Sequence, residues 1–425
     1  MILWLPIFHI FMLKKNPNMR LIISTLFCLL VGYLNAQDDA LQQAKIDVVY
    51  LASDYLEGRE TGTKGEALAA DYIAYRYAQL GMKTIDDKVG YFQSFPFKEL
   101  VNPHHNHGGV PKQGNGKNVV GYFDNQAEKT IVIGAHYDHL GLGMAGSLHA
   151  GEPAIHNGAD DNASGIAAML LMAKWIKENQ LHESNYLFIA FSGEEMGLFG
   201  SKYYADHPTI DLDKVSAMIN MDMVGRLNTE KVLAVNGVGT APEFKEMIAN
   251  NNVKEIEAVT SDSGVGPSDH TSFYLKNIPV LHFFTGQHMD YHKPGDDSHL
   301  VNFEGILMVS AYIYDLIMQI NAKPQLAFIK TKDTKKESVS SFKVTLGVMP
   351  DYVYTGKGMR IDSVVDGRVA SKAGLKNGDI IIQLGDVKVT DIYKYMEGLG
   401  KYEKGQKAQV VVLRNGKKVK KQVTF

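Results

Sequence analysis

The segment Thr130-Ile131-Val132-Ile133 consists of four β-branched residues and runs directly into Gly134-Ala135-His136-Tyr137-Asp138-His139. Such a run favours a pleated strand with both faces covered, and an imidazole and a carboxylate two residues apart at its exit restrict what it can be part of. A histidine that holds a metal needs its second ring nitrogen engaged by an acceptor, which fixes the tautomer and raises its basicity; an aspartate two residues on can supply that acceptor. Taken alone, the triplet reads equally well as a capping aspartate beside a solvent-facing histidine.

Four further clusters follow, each at a strand end or a glycine-rich turn. His156-Asn157-Gly158-Ala159-Asp160-Asp161-Asn162-Ala163-Ser164-Gly165 precedes an apolar helical pattern from Ile166 to Trp175, where Asp and Asn are ordinarily N-caps. The buried-strand run Tyr186 to Phe191 opens into Ser192-Gly193-Glu194-Glu195-Met196-Gly197. Adjacent glutamates at a strand exit point in different directions, so one can meet a metal while the other faces a substrate. In Ile219-Asn220-Met221-Asp222-Met223-Val224-Gly225 a single carboxylate sits among apolar residues and needs a cation or hydrogen bonds there. Asp290-Tyr291-His292-Lys293-Pro294 follows the strand-like Ile278 to Phe284.

In open α/β sheets, ligands gather at the carboxyl ends of strands, so the five clusters can converge although they span more than 150 residues. Together they offer histidines, several carboxylates and no thiolate, a set suited to catalytic zinc with a coordination position left open.

These residues resemble a known family. His-x-Asp, Gly-Ala-Asp-Asp-Asn-Ala-Ser-Gly, Gly-Glu-Glu-x-Gly-Leu-x-Gly-Ser, Asn-Met-Asp-Met and Asp-Tyr-His-x-Pro are similar, in this order, to the co-catalytic di-zinc aminopeptidases that include bacterial aminopeptidase S and aminopeptidase Y. The likeness runs from about Leu51 to Leu316 and takes in Leu51 to Gly62 and Ser268 to Phe273. The resemblance implies two Zn2+ per chain: His136 and Asp222 on one, Glu195 and His292 on the other, and Asp161 bridging them. It implies that Asp138 orients His136, that Glu194 is the general base toward water, and that Tyr291 donates to the oxyanion. Two cations roughly 3.5 to 4 Å apart would lower the pKa of water, polarise the scissile carbonyl and hold a free amine. Peptides with a free N-terminus are the expected substrates. His139, His156 and Asp160 receive no metal role. No Gly-x-Ser-x-Gly elbow, His-Glu-x-x-His helix or phosphate-binding loop competes, and Pro103-His104-His105-Asn106-His107-Gly108-Gly109 reads as an exposed loop. The Gly-rich stretch from Leu140 to Pro153 either folds over the site or simply connects two ligand strands.

Arg20, the apolar Leu21 to Val31 and then Leu34-Asn35-Ala36 read as a signal peptide over residues 1–36, with Met19 as an alternative start and an uncleaved anchor as the alternative reading. Neither apolar patch in this region reaches the roughly 20 residues of a membrane span, so export to the periplasm or exterior without a stable membrane span is the expectation. Cys28, the only cysteine, falls in the removed part, which excludes disulfides from the mature chain. A formal net charge of -3 without a dominant basic face argues against nucleic acid as a partner.

A peptidase domain over residues 37–322 is expected to be α/β, a central mixed β-sheet flanked by helices. A polar stretch without apolar periodicity follows, and the linker is assigned to residues 323–340. Residues 341–425 show short strand patterns, a hairpin signal at Asn415-Gly416, and Ala370 to Ile381, which resembles PDZ domains; a small, mostly-β PDZ domain is therefore expected. In that family a loop before a strand offers amides to a peptide's C-terminal carboxylate, and Leu346-Gly347-Val348 occupies the matching place. A domain that only packs on the peptidase or shields its site is the alternative. For the whole chain, the rival readings are a glutaminyl cyclase-like acyl transferase, a carboxypeptidase of the same fold, and a non-catalytic PDZ adaptor.

Overall fold

The computed structural model describes residues 39–98, 112–149, 151–331, 344–350, 354, 356–364 and 367–425. The expected signal peptide, the His104 to His107 loop and residues 332–340 of the expected linker lie outside the described residues.

Eight strands form the first sheet in the order β1-β2-β4-β3-β5-β8-β6-β7. They are β1 (Phe92–Lys98), β2 (Gln113–Phe123), β3 (Thr130–His136), β4 (Asn185–Phe191), β5 (Val215–Met221), β6 (Val232–Asn236), β7 (Glu257–Ser261) and β8 (Val280–Phe284). The neighbours β4, β3, β5 and β8 run parallel, whereas β1 with β2, β2 with β4, and β6 with β8 are antiparallel. The sheet is therefore mixed, as expected. Every residue of β3, β4 and β5 is buried. Alternation along β3 shows why: Ile131, Ile133 and Ala135 enter the core on one face, and Val132 joins a second core on the other. A parallel strand covered on both sides needs apolar residues at consecutive positions, which is what the β-branched run supplies.

On the first face α1 (Lys64–Gln79), α2 (Gly165–Glu178) and α4 (Phe303–Asn321) cover the sheet. On the second face, α3 (Phe199–Asp206) places Tyr204 in the core. Among the described residues α4 is the one helix with the length and apolarity of a membrane span. Its Ile306, Val309, Ile313, Leu316, Ile317 and Ile320 belong to the core of this unit, each burial contributing roughly 1.5 to 3 kcal/mol. Residues 323–331, read from the sequence as the start of a linker, pack on this unit. The Leu326 amide donates to Ser216 Oγ and the Phe328 ring lies 5.4 Å from that of Tyr274; the apolar run Leu326-Ala327-Phe328-Ile329, ahead of the polar residues from Lys330 on, accounts for the difference.

The C-terminal unit has its own core, centred on Leu346, Ile361, Ile381, Leu384, Val410 and Val412. Its sheet runs β14-β13-β11-β10-β9, with β12 paired to β11: β9 (Val348–Pro350), β10 (Met359–Val364), β11 (Ile380–Leu384), β12 (Val387–Lys388), β13 (Lys407–Arg414) and β14 (Lys417–Thr424). Two helices, α5 (Val369–Ala373) and α6 (Ile392–Leu399), complete it. Between β13 and β14 both Asn415 and Gly416 have positive φ, 49° and 74°, as the two-residue type I′ hairpin turn requires.

Candidate metal centre

The carboxyl ends of β4, β3, β5 and β8 lie side by side, and the ligand-type residues sit there. His136 is the last residue of β3, Asp222 follows β5, Glu194 and Glu195 follow β4, and Tyr291 and His292 lie in the loop after β8. Asp161 arrives from the turn before α2 and is 3 % exposed.

That turn is more than a helix cap. Asn162 Oδ1 accepts from Gly165 N at 3.0 Å, which is N-capping, but it also accepts from Met223 N at 3.1 Å, and its Nδ2 donates to Met221 O at 3.0 Å. One side chain thus ties the start of α2 to both sides of Asp222. The amides of Asp160 and Asp161 donate to the same oxygen of buried Asp296, at 2.9 and 3.0 Å. The Asp161–Asn162 peptide is cis. Gly158 lies at φ +55°, and a Cβ there would come within 2.1 Å of Asp161 O, so only glycine fits so close to that backbone.

Two donor sets result. His136 Nε2 lies 3.3 Å from Asp161 Oδ1 and 3.4 Å from Asp222 Oδ1. His292 Nε2 lies 3.3 Å from Asp161 Oδ2 and 3.1 Å from Glu195 Oε2. A zinc tetrahedron with bonds of about 2.0 to 2.1 Å has edges of about 3.3 Å, so these separations fit two zinc ions that share Asp161 through its two oxygens. The electrostatics agree. Burial works against charge on His136, yet Asp222, Glu194, Asp138 and Asp161 raise its pKa well above the ordinary value, and Glu195 and Asp161 do the same for His292. Burial would raise Glu195, but His292 and His139 outweigh it and bring it down to about 2. A pocket that binds protons this firmly has the field to bind cations.

The surrounding contacts distribute the other roles. Asp138 approaches His136 Nδ1 with its main-chain carbonyl at 3.2 Å, while its carboxylate stands 3.7 Å away. That carboxylate accepts instead from Glu194 N at 3.2 Å and Thr61 Oγ1 at 3.0 Å, so Asp138 holds the backbone of Glu194 as well as the ring of His136. Glu194 lines a cavity of ≈ 120 Å³ together with both donor sets. Its pKa is raised well above the ordinary value, first by burial and then by Asp222, Asp269 and Glu195, with His136 opposing. The Tyr291 ring stacks on His292 at 3.9 Å; burial and the nearby carboxylates raise its hydroxyl pKa, so it stays a protonated donor. Met223, Phe284 and Tyr291 form an apolar wall.

The structure also brings in residues to which the sequence assigned no role. His139 Nδ1 lies 2.8 Å from Glu195 Oε1 and 3.9 Å from Asp161 Oδ2. The first separation is that of a charge-assisted hydrogen bond, and His139, Asp161 and Glu195 also lie close enough together to hold a metal ion, so His139 stands beside His292 as a donor at this end of the site. Its signal was the second histidine at the β3 exit. Arg59, fully buried, donates to Tyr137 O, Leu51 O, Asn157 O and Gly158 O, clamping the β3 exit to the Asp161 turn. Behind the site, burial raises Asp269 to about 7, and His270 stacks on His282 at 4.4 Å. The Leu140 to Pro153 stretch wraps a ligand: Leu148 N donates to His292 O at 2.9 Å, and His292 Nδ1 donates to Gly146 O at 3.0 Å. In the C-terminal unit Leu346 is buried with its carbonyl accepting from Ala370 N, and the Gly347 amide, at φ +71°, donates to Thr345 Oγ1 at 3.0 Å.

Residues 118–317 match peptidase family M28, and residues 329–424 match the PDZ domain. The chain is 36 % identical over 153 residues to leupeptin-inactivating enzyme 1 of Streptomyces exfoliatus, covering 35 % of this chain and 33 % of that protein. It is 30 % identical over 202 residues to aminopeptidase YwaD of Bacillus subtilis (strain 168), covering 44 % and 41 %. The match thus spans only about a third to two fifths of those relatives. A glutaminyl cyclase from Bacteroides thetaiotaomicron, solved with N-acetylhistamine, shares the fold with a TM-score of 0.53 at 18 % identity, over 67 % of this chain and 98 % of that one.

Proposed function

We propose that this chain, whose residues 118–317 belong to peptidase family M28 and whose residues 329–424 form a PDZ domain, is an exported zinc-dependent aminopeptidase that carries two zinc ions. The observation that carries the reading is the pair of donor sets sharing Asp161 at the mouth of a cavity that also holds Glu194. His136 and Asp222 would hold one ion, Glu195 and His292 the other. Zinc, when bound, supplies Lewis acidity to the scissile carbonyl and to water. Glu194 takes the proton of the attacking water and returns it to the departing amine, a role suited to a carboxylate whose pKa is raised by burial and by Asp222, Asp269 and Glu195. Tyr291 donates its hydroxyl to the carbonyl oxygen as negative charge develops there. Met223 and Phe284 receive the side chain of the first residue. Export is supported by the apolar Leu21 to Val31 followed by Leu34-Asn35-Ala36, and a mature N-terminus at Gln37 would bear it out.

Three peptides of one core sequence test the activity: free amine, N-acetylated, and N-terminal glutaminyl. The aminopeptidase releases the first residue from the free-amine peptide, spares the acetylated one, and loses activity to a chelator. Cyclisation of the glutaminyl peptide without cleavage would assign the site to acyl transfer. Release from the carboxyl end, or no reaction with zinc supplied, would favour the carboxypeptidase or the non-catalytic adaptor.

A further inference from the structure

A second cavity, ≈ 630 Å³, lies between the peptidase and the PDZ domain. One wall carries Leu148, His149, Met289 and Lys293, and the other runs through Lys376 and Asn377 just beyond α5. Asn377 Nδ2 donates to Met289 Sδ at 3.2 Å across the gap. This cleft and the metal cavity sit on one loop: Tyr291 and His292 line the first cavity, and Met289 and Lys293 line the second. Leu148 is tied to the same loop by its hydrogen bond to His292 O. Three residues of chain span at most about 11 Å, so Met289 stands within that distance of His292. At ~3.3 to 3.6 Å per extended residue that step takes at most about three residues, and the residues seated in the two cavities themselves bring the peptide to roughly three to five.

The cleft is also one-sided in charge. Among the described residues His149, Lys293 and Lys376 line it, and no Asp or Glu does, although the whole chain has more acidic than basic residues. Lys293 Nζ donates to Met289 O at 2.8 Å, and an ammonium has three donors, so it retains capacity for an anion. Leu148 and Met289 give the cleft an apolar floor for the intervening side chains.

We propose that this cleft receives the free C-terminal carboxylate of a short peptide whose amino terminus is at the metal centre, so that the PDZ domain selects oligopeptides of about three to five residues by length and by their terminal charge. The inference rests on the aminopeptidase reading. It differs from capture at Leu346 to Val348, because the cationic groups come from both domains.

The test uses the full-length protein and a series of peptides of two to six residues, each beginning with leucine and each made as free acid and as C-terminal amide. Leucyl-p-nitroanilide serves as the short reference. The acid should be preferred over the amide by roughly threefold to tenfold at the matching length, as expected for one or two partly exposed charged contacts. The preference should reside in KM and fall with added salt. Lys376→Ala should reduce it and Lys376→Glu should abolish or invert it, with leucyl-p-nitroanilide turnover unchanged. Equal kinetics for acids and amides at every length, or a preference that survives Lys376→Glu, would overturn the inference while leaving the aminopeptidase reading intact. No hydrolysis of leucyl-p-nitroanilide by the zinc-loaded protein would overturn that reading, and the inference with it.

Discussion

Replacing Glu194 by Gln keeps the shape of the side chain and removes one negative charge at the centre of the site. The change should be local, because the Glu194 amide is anchored on Asp138 Oδ1 at 3.2 Å and the side chain belongs to neither donor set. Turnover should fall by about 10² to 10⁴, the usual loss for a general base, equivalent to roughly 2.7 to 5.4 kcal/mol of barrier at 1.36 kcal/mol per decade. Zinc content and KM should change little. Stability should move the other way. Burial, with Asp222, Asp269 and Glu195, raises the pKa of Glu194 well above 4.5 in the metal-depleted fold, so the native state binds a proton there that the unfolded state has already released. Stability of that form therefore declines as pH rises from about 4.5 toward the folded pKa, and the amide, which has no proton to lose, removes the decline. Metal-depleted Glu194→Gln should melt at or above the wild-type temperature at pH 7. Glu195→Gln should lose metal as well as rate, since its Oε2 faces His292 at 3.1 Å. Elemental analysis, initial rates and thermal melts of both variants decide the matter: metal stripped by Glu194→Gln and kept by Glu195→Gln would mean the two glutamates have the opposite roles.

Two further substitutions probe the scaffold. Asp138→Ala removes the acceptor of Glu194 N and Thr61 Oγ1 but leaves the main-chain carbonyl beside His136 Nδ1; activity should drop about 10 to 100 fold, with zinc affinity changing less than turnover in a metal titration. Arg59→Met removes a donor from four buried carbonyls, of which Gly158 O keeps the Ala163 amide, and, at about 1 to 3 kcal/mol for each group left unsatisfied, should lower the unfolding free energy from chemical denaturation sharply; a loss of under about 1 kcal/mol would mean that water replaces the guanidinium.

Of the candidate ligands, His136 and Asp222 stand out in the sequence because each closes a largely apolar strand buried on both faces, β3 and β5, and Glu194 and Glu195 follow the apolar run of β4 after Ser192-Gly193; His292 lies eight residues beyond β8 and was legible only through its motif. Asp161 was legible only through its motif, since an aspartate before a helix ordinarily caps it; here Asn162 caps and Asp161 is left free to reach both histidines. His139, at 2.8 Å, and His292, at 3.1 Å, both reach the Glu195 carboxylate, and nothing in residue spacing shows that they do. Arg59 and Asp296 are anchors for backbone groups, and backbone partners leave no pattern in a sequence. Residues 323–331 misled because the polar stretch that marks the linker begins only at Lys330, after the short apolar run Leu326 to Ile329, which is enough to dock the segment. The cleft between the domains is composed of residues from two units and is invisible until both are placed.

Zinc stoichiometry measured against activity tests the central claim most directly. Protein depleted of metal and titrated with zinc should bind close to two equivalents, release the N-terminal residue of a free-amine peptide in step with occupancy, and lose both ions when Asp161 is replaced by Ala. A single tightly bound zinc, retained in full by Asp222→Ala with activity unchanged, would contradict it.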